Sequence, residues 1–269
     1  MSISPNNPRP DTGIAKDSNR SRLKIFLDVY TGKFSKLLLL NVASIILNIP
    51  AIFAAFYLSS YFFTADKELK GINFFIGYIV ISLLVCFPII TIGPFQAGFT
   101  YILRNFAREE HTFIFDDFKE QTKRNWKQGL AISLIDLIIV TGLIIEINFF
   151  RTQTGLASNI LLWLSMFVFV VFSMMHMYIY QMVVTIELKV FHIYKNALML
   201  TLIHFFKNIF VYFLCTAILL LLAIFIPLGI LGFVTVSMST IGLIINFHAH
   251  TAIKKYLIDP VTATESNKP

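Results

Sequence analysis

Asp136 and His176 are ionisable side chains set inside long apolar runs. In hydrocarbon such groups cost free energy unless paired, so they mark proton relays, substrate sites or ties between helices. If the runs are membrane helices rising 1.5 Å per residue, Asp136 lies roughly 10 Å and His176 roughly 15 Å from the same membrane face. Gln96 and Gln181 fall at roughly 12 and 9 Å by the same rise, and Asn41 is shallower. Asp136, His176, Gln96, Gln181 and Asn41 therefore form a candidate intramembrane polar site at one approximate depth, provided their helix faces converge. The functional reading is a proton or substrate site centred on Asp136 and His176. The alternative is structural, with the acid protonated or paired and the amides bonding neighbouring helices.

Other chemistry is scarce. Cys86 and Cys215 sit in apolar runs, without zinc or CxxC spacing. His248 and His250 are two residues apart, which sends the rings to different helix faces, and there is no HExxH, Walker or GxGxxG motif. No nucleophile–base pattern appears. The expectation is a protein that is not an enzyme and has no cofactor and no metal.

The elements positioning these residues follow from composition. The chain is 269 residues, 57% hydrophobic and only 14% charged, far below the charge of a soluble domain. The expected class is all-α, a polytopic helical membrane protein with the lipid bilayer as its main partner. Its net charge of +7 comes from basic residues beside apolar spans. That placement suits membrane orientation and excludes nucleic acid as the natural partner.

Six spans are expected, at about 37–62, 73–103, 129–150, 159–186, 208–226 and 230–250, within a membrane domain covering 22–257. Residues 1–21 read as a disordered cytoplasmic tail and 258–269 as a polar cytoplasmic tail. Pro50 should kink the first span and Gly93-Pro94 the second. Pro227 and Gly229 should reverse the chain between the last two.

Three stretches outside the spans look amphipathic and interfacial. The first starts at Arg22, the second lies in 104–128 and the third in 187–207. In the second, Phe115, Phe118 and Trp126 share a face with Thr122. With Lys127 these aromatic residues are the expected interfacial anchors. Asp116 and Asp117 start this helix and Lys123 and Arg124 end it, as the helix dipole prefers.

With six spans, one side of the membrane collects 19 of the Lys and Arg residues and the other side 3. Basic residues favour the cytoplasm, so both termini are expected there. An aromatic residue and a lysine precede a span three times, at Phe34-Ser35-Lys36, Trp126-Lys127 and Phe206-Lys207. Thr91-Ile92-Gly93 and Thr240-Ile241-Gly242 also echo each other. These echoes suggest three repeated helical hairpins around a pseudo-threefold axis.

The stretch 87–129 carries a family resemblance. Pro88, Thr91-Ile92-Gly93-Pro94, Ala97, Gly98, Tyr101 and Arg104 lead it. Arg108-Glu109-Glu110, Phe115-Asp116-Asp117-Phe118 and Asn125-Trp126-Lys127 extend it, and Leu37 to Asn41 match the family's start. The chain resembles the YesL-like family of bacterial integral membrane proteins, a domain of unknown function. The resemblance implies a multi-pass protein of the bacterial cell membrane, an accessory role in carbohydrate uptake and a sugar-permease component as partner. It supplies no catalytic residues. The competing expectations are a stand-alone transporter or channel built on Asp136 and His176, and a membrane scaffold or lipid-sensing protein built on the interfacial helices.

Overall fold

The computed structural model describes residues 20–63, 91–224 and 231–260. The tails beyond these, most of the expected second span, Cys86 and the Pro227–Gly229 reversal lie outside the described residues. Every regular element among the described residues is helical. They are α1 (Arg22–Gly32), α2 (Phe34–Leu47), α3 (Ile49–Phe63), α4 (Gly93–Ala107), α5 (Ile114–Arg124), α6 (Trp126–Thr152), α7 (Leu156–Val183), α8 (Val190–Ile203), α9 (Phe205–Ile224) and α10 (Met238–Ile253). Wider π-helical turns, Phe233–Ser237 and Lys254–Ile258, flank α10.

One local pattern occurs four times among the described residues. A helix ends, one residue interrupts, and another helix starts: α1, Lys33, α2; α2, Asn48, α3; α5, Asn125, α6; α8, His204, α9. The interrupting residues have nearly the same backbone, with φ −117° and ψ 19° at Lys33, −98° and 8° at Asn48, −96° and 15° at Asn125, and −105° and 24° at His204. Each still donates its N–H to the carbonyl four residues back, and each accepts from the N–H four residues on. The ladder thus survives while the axis turns, by 75° between α1 and α2. The sequence echoes at Phe34, Trp126 and Phe206 fall at the first turns after the bends at Lys33, Asn125 and His204.

Three described helices are long and apolar enough to cross a membrane, Trp126–Thr152, Leu156–Val183 and Phe205–Leu222. The bent α1–α2 pair makes up to four. The chain is a helical membrane protein, with fewer such helices among the described residues than the six spans expected. Several described helices are too short, and most of the expected second span lies outside the described residues. Asn48, two residues before Pro50, divides the expected first span into helices of 14 and 15 residues. The described part of the expected second span is α4, with 15 residues. The regular α-helix of the last span has 16. Each falls short of the ~20 residues that a bilayer requires.

The C-terminal half of α7 and its cap, from Phe172 to Val184, are buried continuously. This half is the hub against which α4, α6, α8 and α10 pack. Glycines set two of the closest approaches. A Cβ on Gly93 would fall 1.9 Å from Gly129 O, so α4 begins backbone to backbone against α6. A Cβ on Gly98 would fall 2.6 Å from Thr122 Oγ1 and 3.0 Å from Phe118 O, so α5 lies directly on α4. The N- and C-terminal parts also meet. Asn41 Nδ2 donates to Phe233 O at 3.0 Å, and Ser239 N donates to Asn41 Oδ1 at 2.9 Å.

Candidate functional site

The site forms where α4 starts. Residues Thr91 and Ile92 are not helical, which would leave N–H groups without partners inside a bundle. Side chains satisfy them. Ile92 N donates to Asn48 Oδ1 at 2.8 Å, and Gly93 N donates to Ser133 Oγ at 2.6 Å. Ser133 Oγ in turn donates to Thr91 O at 2.8 Å. Ser133 can do so because Gly129, one turn earlier on α6, has no side chain to hold the two backbones apart.

Asp136 follows Ser133 by three residues, on nearly the same face of α6. Its Oδ2 lies 3.0 Å from His176 Nε2 on α7, with the two side chains 1% and 0% exposed. The other ring nitrogen, His176 Nδ1, is 3.0 Å from Phe172 O. If Nδ1 carries a proton it donates to that carbonyl and orients the ring. Tyr194 of α8 completes the carboxylate by donating its hydroxyl to Asp136 Oδ1 at 2.5 Å. The same hydroxyl is 3.4 Å from Ile132 O. Three helices therefore converge on one carboxylate.

The Tyr180 hydroxyl faces Thr91, Ser133 and Asp136 from α7. Yet Tyr180 Oη and Thr91 Oγ1 are buried without a completed hydrogen bond. Apart from their contact with each other, Asp136 Oδ2 and His176 Nε2 are in the same condition. Buried polar atoms usually have partners, so the cluster has spare capacity for protons or water. It is suited to proton storage or transfer.

Residues 34–149 match the family described as Protein of unknown function, DUF624. The DUF624 match runs from α2 almost to the end of α6. It contains Asn41, Asn48, Ser133 and Asp136 and stops before His176, Tyr180 and Tyr194. No curated protein and no solved structure gives a significant match.

Of the five residues expected to form one polar layer, the structure brings Asp136 and His176 together. Asn41 is fully buried but bonds Phe233 O just before α10 and Ser239 N in its first turn. Gln96 is half-buried on α4 and Gln181 is buried on α7, and no hydrogen bond joins either to the pair. The single layer is therefore a pair with separate amide ties, because matching depth does not set which way a helix face points. Sequence reasoning missed Tyr180 and Tyr194. Tyr194 follows the buried Ile193 and precedes the buried Ala197 by three, so the apolar spacing of α8 was a usable signal.

A second buried cluster joins α7, α9 and α10. Tyr178 Oη donates to Asn208 Oδ1 at 2.6 Å, and His248 Nε2 lies 2.6 Å from the same oxygen. Asn208 Nδ2 donates to Thr201 O at 3.1 Å. An amide oxygen can only accept, so His248 carries its proton on Nε2 here.

The anchors expected on α5 divide. Phe115 is 69% exposed and Trp126 is 48% exposed, and Lys127 is also exposed. Phe118 is half-buried instead and packs against the apolar cluster that contains Phe99 and Phe106. The correction has a simple cause, since Gly98 opens a place on α4 that Phe118 and Thr122 cover. Nearby Arg104 is buried, and its Nη1 donates to Val184 O at 2.6 Å at the end of α7. Its Nε and Nη2 donate to Asn105 Oδ1, and its guanidinium lies 4.6 Å from the Tyr101 ring centre.

Proposed function

We propose that this protein is an accessory component of membrane transport, serving carbohydrate uptake in the bacterial cell membrane beside a sugar permease. The YesL-like resemblance supplies the process. The observation supporting an accessory role over a carrier is the closure of the polar centre. Asp136 and His176 are 1% and 0% exposed and face each other, so neither offers a polar cargo an open binding surface. On this reading the protein has six spans in three repeated hairpins, opened by the bends at Lys33, Asn125 and His204, with both termini cytoplasmic. It is not an enzyme.

The test is pull-down of the tagged protein from its own membranes, with sugar uptake measured in a deletion strain. Recovery of a permease component and reduced uptake would support the reading. Unchanged uptake of every sugar the host imports would end it.

A second reading is a stand-alone transporter or channel. Tyr180 Oη and Thr91 Oγ1, buried beside Asp136 without a completed hydrogen bond, favour it. Here Asp136→Asn abolishes proton-coupled flux into vesicles containing the purified protein alone. Absence of any flux with the unmodified protein would reject it.

A further inference from the structure

A cleft of about 360 Å³ opens at the junction of α5 and α6 with the loop between α7 and α8. Arg124, Asn125, Gln128, Glu187, Leu188 and Lys189 line it. Gln128 Nε2 donates to Leu188 O at 2.6 Å and so forms part of its floor. The cleft is polar and it lies at the basic end of the bundle, beside the charged face of α5.

Gln128, Ile132 and Asp136 are spaced by four residues on α6, so they form one stripe along the helix. The stripe leads from the cleft to the carboxylate over roughly 12 Å at 1.5 Å per residue. Tyr194 lies across it, touching both Ile132 O and Asp136 Oδ1. Asp136 and His176 are closed from solvent, whereas Tyr194 is half-buried. Its helix, α8, is short and bounded by non-helical residues 184–189 and by the bend at His204. Tyr194 thus stands where a route from the cleft would meet the buried pair.

We propose that the cleft, Tyr194 and the Asp136–His176 pair form a proton-access half-channel, with Tyr194 as its gate. The pair holds one proton, since none would leave an uncompensated buried anion and two an uncompensated cation, and both are costly. The titratable groups facing the carboxylate are His176 and Tyr180 of α7 and Tyr194 of α8. No lysine or arginine among the described residues contacts it. When Tyr194 swings off Asp136 Oδ1, the carboxyl gives the pair's proton to cleft water, which leaves as hydronium, and regains a proton from another hydronium, so the pair holds one proton before and after. The regained proton is then shared with His176 Nε2. This inference is independent of whether the chain carries cargo itself.

The experiment uses full-length protein, labelled with ¹⁵N-histidine, in lipid nanodiscs. The His176 ring N–H signal is assigned by its loss in His176→Gln, and its exchange with ²H₂O is timed by NMR. Tyr194→Ala removes the gate and should speed exchange at least tenfold. Gln128→Trp fills the cleft and should slow exchange severalfold, and it serves alone if Tyr194→Ala does not fold. Ile138→Trp, on an exposed face of α6, should leave the rate unchanged. Equal rates in the unmodified, Gln128 and Tyr194 proteins would overturn the half-channel. Permease binding and sugar uptake do not enter this measurement, so its failure and that of the accessory reading are separable.

Discussion

His176 Nε2 lies 3.0 Å from Asp136 Oδ2, and the two side chains close each other off from every other medium. The pair therefore behaves as one unit. Replacing only one partner, as in Asp136→Leu or His176→Leu, leaves the other with Tyr194 or Phe172 O but without its buried ion-pair partner, and should cost about 3–5 kcal/mol. The double replacement by leucines should cost less than the two single changes summed. Unfolding in mild detergent, run as a double-mutant cycle, measures this. Additive losses would mean that the two side chains do not interact.

Gly129 and Gly142 lie on the same helix and should respond oppositely to alanine. A Cβ on Gly129 would meet Pro94 N at 2.6 Å and Gly93 C at 2.7 Å, and backbone atoms cannot swing aside. Gly129→Ala should destabilise by about 1–3 kcal/mol through overpacking. Gly142 has nothing within 4 Å, so Gly142→Ala should be neutral or stabilising, by up to about 1 kcal/mol. Melting temperatures of both variants decide it.

Arg104→Lys keeps the charge but removes the planar fork that bonds Val184 O and Asn105 Oδ1 together. A loss of about 1–3 kcal/mol is expected. Hydrogen exchange should rise at residues 184–189 in particular, because Arg104 closes the end of α7. Protection there equal to the unmodified protein would show that lysine replaces the fork.

Phe115 and Phe118 should separate membrane contact from packing. Phe118→Ser removes a ring packed against the cluster that contains Phe99 and Phe106 and should lower the melting temperature by several degrees. Phe115→Ser should leave the melting temperature within error, since that ring is 69% exposed. It should reduce quenching of Trp126 fluorescence by lipids brominated near the headgroup, if α5 rests on the bilayer. Identical behaviour of the two variants would contradict the division.

Particular residues show why some of this was legible beforehand. Asp136 and His176 stood out because each was ionisable in an apolar run, and similar depths implied a meeting. Asn41, Gln96 and Gln181 had comparable depths, but depth carries no azimuth. A helix apolar around its whole circumference lacks the one-sided pattern that reveals which way a residue points. Tyr180 and Tyr194 were missed because tyrosine in such a run reads as an interfacial aromatic. Phe115 and Phe118 are three residues apart and adjacent on the helix surface. Which one turns inward is decided by the absent side chain of Gly98 on another helix.

The bonds from Asn41 to Phe233 O and Ser239 N span almost the whole chain. During synthesis, α2 leaves the ribosome nearly 200 residues before the segment that receives its amide. A nascent chain halted before residue 233 therefore lacks both of these bonds, and the first and last parts of the bundle stay untied by them until the final helix is made.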